Sequence, residues 1–268
     1  MTVEVPLVLG GHSFIKELGS DPAADPGEQD AIVSACLDCG IRTFDTTYQP
    51  ERVAVGRILR RLGRRKEAKV IAWNFFCPEE GKAVERGAEY YRPEHIGRMM
   101  DELGTDRIDH LVVHGLDDSV KNREQEELAE SWKREGKVGS LGTWWPSVDT
   151  PAGPYDFMVR PWNLTQGGES GVFEACRRKG WLNFGCSPFV RGWKLDELAA
   201  RFAAREGLPV EEARARLADL MFRFAAFQPF IDRLIVAMRR VEWVRSNMDS
   251  YRRGPLTAEE AERLSALQ

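Results

Sequence analysis

At 268 residues, with 43% hydrophobic and 30% charged residues, the chain has the makeup of a globular protein with a sizeable core, in the size range of single α/β barrels. A net charge of -4 argues against a polyanionic partner, so no nucleic acid is expected. The opening MTVEVPLVLGGHSF lacks the basic segment and long apolar run of a leader, and nowhere do about 18 apolar residues follow one another, so no membrane association and a cytoplasmic protein are expected.

The five cysteines are odd in number and scattered, which is no disulfide framework. Cys36 and Cys39 fall inside a helical pattern and read as buried thiols, and the second pair that a structural zinc site needs is missing.

Strand and helix signals alternate along the chain. Pro6 to Gly10 is a short apolar strand leading into Gly11 and His12, and Gln29 to Cys39 has helical spacing of Ile32, Ala35 and Cys36. Ile41 to Asp45 is a second strand, with Tyr48 close behind and a helix opening at Glu51, its apolar side Val55, Ile58, Leu59 and Leu62. Lys69 to Asn74 is a third strand. Pro93 starts a helix, His95 to Leu103, that Gly104 closes. Ile108 to His114 is a fourth strand, and a polar helix from Arg123 to Arg134 stops at Gly136.

Val138 to Thr143 is strand five and Phe157 to Asn163 strand six, separated by SVDTPAGPYD, too rich in proline and glycine for a helix. After a helix from Glu169 to Lys179 comes strand seven, Leu182 to Ser187. Helical stretches follow around Leu195 to Arg205 and Val210 to Phe224. Arg233 to Ala237 is strand eight, with helices from Val241 to Tyr251 and from Thr257 onward. Eight strands with a helix in all intervals but one predict an α/β fold, a (β/α)8 TIM barrel with a shortened or missing helix after strand five, formed by residues 1–268 as one domain. An open doubly wound sheet would want a glycine-rich turn of GxGxxG type, and there is none.

In such a barrel the functional positions follow the C-terminal ends of the strands. These are His12, Asp45, Tyr48, Trp73, Asn74, His114, Trp144, Trp145, Trp162, Asn163, Cys186 and Ser187, with Trp193 just beyond. Five tryptophans on one rim make a flat-walled pocket suited to a small ring-shaped substrate, although aromatic residues at strand ends also serve as caps on the core. Asp45, Tyr48 and His114 are the groups able to do proton chemistry. A metal-dependent hydrolase would want a second histidine near His12, so no metal site is expected.

The segments GIRTFDTTYQPE, KVIAWNFF, DELGTDRIDHLVVHGLDD, WKREGKVGSLGT, NFGCSPFVRGW and RLIVAMRRVEWVRSN resemble, in order, the successive motifs of the aldo-keto reductases. That resemblance implies a (β/α)8 barrel that reduces carbonyls with NADP(H) bound across the mouth, and a catalytic aspartate, tyrosine, lysine and histidine. Asp45 and His114 match directly, and Tyr48 matches if two residues between it and Asp45 have been lost. The lysine position is Asn74. A lysine there stabilises tyrosinate, so Tyr48 is expected to be a weaker acid, with His114 and His12 as supporting donors.

The resemblance also places Trp144, Trp145, Val159 and Cys186 where the family holds the nicotinamide. Ser187, Pro188, Arg191 and Gly192 keep the loop after strand seven, and Arg239 and Asn247 fall where the family binds the 2'-phosphate and adenine, with Trp243 and Ser246 beside them. Two readings follow: an NADP(H)-dependent carbonyl or alcohol oxidoreductase with a modified proton relay, or a member that has left redox chemistry as a cofactor-independent lyase or isomerase, or as a non-catalytic ligand-binding protein. The uncovered side after strand five would be closed by a second copy of the chain.

Overall fold

The structure is a computed structural model that describes residues 4–16, 22–79, 81–166, 170–190 and 192–268. Its strands are β1 (Leu7–Leu9), β2 (Thr43–Thr46), β3 (Lys69–Trp73), β4 (Ile108–Val113), β5 (Val138–Trp144), β6 (Phe157–Pro161), β7 (Leu182–Cys186) and β8 (Arg233–Val236). They form a closed parallel barrel in sequence order, shut by β1 on β8 with Leu7, Val8 and Leu9 opposite Leu234, Ile235 and Val236. This is the (β/α)8 barrel that the alternation predicts.

Strand periodicity sorts the side chains. Val8, Ile71, Val112, Phe157, Val159, Phe184 and Ile235 pack together inside the barrel, while Leu7, Leu9, Phe44, Val70, Leu111 and Met158 join the layer beneath the helices. At the N-terminal end Glu4 bridges Lys69 of β3 (2.8 Å) and Arg233 of β8 (3.0 Å).

The helices are α1 (Pro26–Cys39), α2 (Gln49–Arg61), the short α3 (Ala83–Arg86), α4 (His95–Leu103), α5 (Ser119–Arg134), α6 (Ser170–Arg178), α7 (Trp193–Glu206), α8 (Val210–Ala226), α9 (Val241–Arg253) and α10 (Ala258–Ser265). Local chemistry sets their ends. Asp25 and Glu28 form a reciprocal capping box at the start of α1, and α4 closes on Gly104 at φ 64, as the sequence predicts. Helix α5 begins before the expected Arg123, because Asp118 Oδ1 accepts the backbone N–H groups of Val120 (2.9 Å) and Lys121 (3.1 Å).

Residues 145–156 pass from β5 to β6 without a helix. Asp156 fastens the passage by accepting from Leu141 N–H (2.8 Å) and Lys133 Nζ (2.5 Å). Trp145 and Val148 are left about half exposed on that side. No helix among the described residues is long and apolar enough to cross a membrane.

Candidate active site

At the C-terminal end of the barrel lies a cavity of about 530 Å³. The loop after β1 is fastened from three directions. Gly10 N–H donates to Val236 O (2.9 Å), Ser13 Oγ accepts from Met238 N–H (2.9 Å), and Arg239 Nε donates to His12 O (3.0 Å). His12 therefore lines the cavity from a fixed backbone.

Tyr48 is the N-cap residue of α2, with Gln49 and Pro50 opening the helix and Glu51 at its third position. Glu51 is fully buried. One carboxylate oxygen accepts the Tyr48 backbone N–H (3.1 Å), and the other lies 2.9 Å from His12 Nδ1. A Cβ on Gly11 would stand 2.1 Å from Glu51 Oε2, so the glycine makes room for the carboxylate. Glu51 is a residue that the sequence reading passed over. Its signal was the third-position acid after Tyr48.

Asp45, at the end of β2, accepts the Trp73 indole N–H (2.7 Å) and the Thr47 hydroxyl (3.3 Å). Burial, aided by the Glu51 charge, pushes its carboxyl up to about 7, against the opposing pull of Trp73, His12 and Thr47. His114, just beyond β4, donates from Nδ1 to Gly115 O (2.9 Å), which leaves Nε2 for a ligand. Burial holds this imidazole below its ordinary range.

Six rings follow one another around the wall, from His12 through Tyr48, Phe75, His114 and Trp144 to Trp73. Successive centroids are 5.7, 5.0, 5.5, 6.5 and 5.5 Å apart. Phe75 was not foreseen, being one of two adjacent phenylalanines with nothing in the sequence to say which faces the mouth. Arg52 of α2, itself fully buried, holds this wall by donating to the carbonyls of Trp73 (3.1 Å) and Phe75 (2.9 Å) while paired with Glu102 (2.7 Å).

The other rim tryptophans do not line the cavity. Trp162 is buried against Phe173, Phe224 and Phe230 because β6 ends at Pro161 and turns its side chain beneath α6 and α8. Trp145 stacks under the Arg160 guanidinium (4.6 Å) on the open side between β5 and β6. Trp193 is exposed at the start of α7. Asn74, expected among the catalytic groups, does not reach the cavity either. Its side chain is fully buried and bonds Glu89 O (2.8 Å) and both backbone groups of His114.

Toward β7 and β8 the same cavity is lined by Ser187, Arg239 and Asn247, with Trp243 and Ser246 alongside, while Arg191 lies outside the described residues. Arg214 of α8 also faces it, held by Asp196 of α7 (2.7 Å). No strand-end rule could have placed this helix residue at the mouth. Trp145, Ser187 and Val190 carry φ values of 54, 57 and 49, an unfavourable left-handed backbone at the rim.

This donor set suits a phosphorylated dinucleotide at its adenosine end, where two arginines, two serines and an asparagine converge. Toward β5, β6 and β7 the wall is Trp144, Val159 and Cys186, which offers a nicotinamide ring apolar contact in place of carboxamide donors.

A sequence model described as "Aldo/keto reductase family" matches residues 6–150. No curated protein sequence matches significantly. Two solved structures from Pseudomonas aeruginosa, both assigned as aldo-keto reductases, share the fold. One is 20% identical, with TM-score 0.68 and coverage of 92% of this chain and 89% of its own. The other is 19% identical, with TM-score 0.67 and coverage of 92% and 90%.

Proposed function

The chain belongs to the aldo/keto reductase family, and we propose that it is an NADP(H)-dependent oxidoreductase that interconverts a carbonyl and an alcohol on a small ring-bearing molecule through a proton relay without lysine. The observation that supports this reading best is that Asp45, Tyr48 and His114 line the same cavity as Ser187, Arg239 and Asn247.

Tyr48 is the general acid. Its ring is wedged between Phe75 and His12, which fixes where the hydroxyl points. His114, with Nδ1 committed to Gly115 O, offers Nε2 to the substrate oxygen and orients it. Asp45 supports the network through Trp73 and titrates near neutrality. Ser187, Arg239 and Asn247 would hold the adenosine end of NADP(H), which supplies the hydride when bound. The ring wall excludes water and favours a flat substrate.

The test is NADPH binding read by quenching of tryptophan fluorescence, since Trp73 and Trp144 stand in the cavity wall. Saturable quenching supports the proposal, and no binding at high micromolar NADPH overturns it.

One observation favours a second reading. Asn74 is turned away from the cavity onto the His114 backbone, so the position that tunes the tyrosine in the family has a different task here. On that reading Tyr48 and His114 serve a cofactor-independent lyase or isomerase, or the cavity only binds a ligand. NADPH oxidation with a panel of aldehydes and ketones, abolished by Tyr48→Phe, rules it out.

The five cysteines, four of them buried thiols, fit a cytoplasmic protein. A second copy covering exposed Trp145 and Val148 between β5 and β6 fits a homodimer, and sedimentation of Trp145→Ser against the parent chain checks it.

A further inference from the structure

The carboxylate–imidazole pair of Glu51 and His12 has no part in the relay above, yet several contacts fix its place beside the cavity. Glu51 has no exposed side-chain surface and His12 only 29%. The missing Cβ of Gly11 admits the carboxylate, and Glu51 also accepts the Tyr48 backbone N–H, so its position is fixed by the start of α2. The backbone of His12 is tied to Arg239, and the next residue, Ser13, to Gly10 and Met238.

With Nδ1 against Glu51, Nε2 is the ring nitrogen left for a ligand in the cavity that His12 lines, and the ring centroid lies 5.7 Å from that of Tyr48. A ligand oxygen within reach of the Tyr48 hydroxyl is then also near His12. A buried carboxylate behind an imidazole fixes its tautomer and compensates the charge that the ring gains on taking a proton.

We propose that His12 is a second proton-transfer group of this cavity, positioned by Glu51, and that its ligand is a ring carrying an acidic hydroxyl, a phenol or enol. In the step, the ligand O–H bond breaks and an Nε2–H bond forms. The electron pair stays on the ligand oxygen, and the resulting phenolate or enolate is held by the imidazolium. The reverse step returns the proton to the oxygen. No oxidant, reductant or metal takes part, so the proposal stands apart from the NADP(H) reading. The charged and titratable groups around His12 are Glu51 and Tyr48 on the α2 side, Asp45 at the end of β2 and Arg239 after β8.

The experiment uses 4-nitrophenol, whose phenolate absorbs in the visible and whose neutral form does not. The full chain is titrated with the probe at a pH where the free probe is largely neutral. The expected result is a saturable phenolate band with the parent protein. His12→Gln, folded by circular dichroism, should lose the band and bind about tenfold more weakly. Glu51→Gln should weaken the band, and if that variant fails to fold, His12→Gln still decides. No phenolate band with the parent protein, or a band unchanged in His12→Gln, overturns the proposal. A band lost in Asp45→Asn but kept in His12→Gln also overturns it, because Asp45 would then be the group that takes the proton. Failure of NADPH to bind bears only on the reductase reading.

Discussion

Asn74 grips His114 by its backbone with one side chain: Oδ1 accepts the His114 N–H at 2.9 Å and Nδ2 donates to the His114 carbonyl at 3.0 Å. The same Nδ2 reaches Glu89 O, so a single buried amide ties the ends of β3 and β4 to the loop between them. Asn74→Ala leaves these groups unpaired in a dry environment and should cost about 2–4 kcal/mol, read as a lower urea midpoint with unchanged slope. Asn74→Lys should cost at least as much, since an ammonium cannot accept the His114 N–H and would be buried without a carboxylate.

Tyr48→Phe removes the proposed acid while keeping the ring contacts to His12 and Phe75. On the reductase reading it should lower kcat by about 10²–10⁴-fold with little change in KM or stability, measured by steady-state kinetics alongside thermal unfolding. A loss confined to KM would place Tyr48 in binding instead.

The buried carboxyl of Asp45 gives a stability prediction with a definite sign. Its folded value, about 7, lies above the ordinary 3.8, so the folded state binds this proton more tightly than the unfolded chain does. Its contribution is fully present below about pH 4 and is lost as pH rises toward 7. Relative to Asp45→Asn, the parent protein should lose up to roughly 4 kcal/mol across that window, visible in urea titrations at pH 4, 5.5 and 7.5. Equal pH dependence in both proteins would show that Asp45 ionises freely.

Gly11→Ala should be unexpectedly harmful for a loop substitution. The new Cβ would stand 2.1 Å from Glu51 Oε2 and 2.8 Å from the Asp45 carbonyl, so either the carboxylate or the loop must move. A loss of about 1–3 kcal/mol is expected, with a shift in the His12 ring resonances by NMR.

The barrel was legible because its signals are local. Apolar runs of strand length, proline at helix starts and glycine at Gly104 mark elements without reference to the rest of the chain. The gap after β5 was legible for the same reason, since SVDTPAGPYD cannot form a helix. What escaped was side-chain direction at the rim. Trp73 and Trp162 both lie at strand ends, yet one faces the cavity and the other the helix layer, because the last residue of a strand obeys the pleat only while the strand lasts. Glu51 and Arg214 escaped for another reason. Arg214 reaches the cavity, and Glu51 reaches the His12 ring, from helices, and their spacing does not say how far a helix leans over the mouth.

The two ends of the barrel are built differently. At the base, Glu4 bridges β3 and β8 by ion pairs, whereas at the rim Trp145, Ser187 and Val190 hold left-handed backbone conformations that cost free energy. Heat acts first on the part under tension. The protein should therefore have two characteristic temperatures, a lower one at which it stops holding its ligand and a higher one at which it melts. A sample that has lost its binding on warming would still be a barrel, and would regain its binding on cooling.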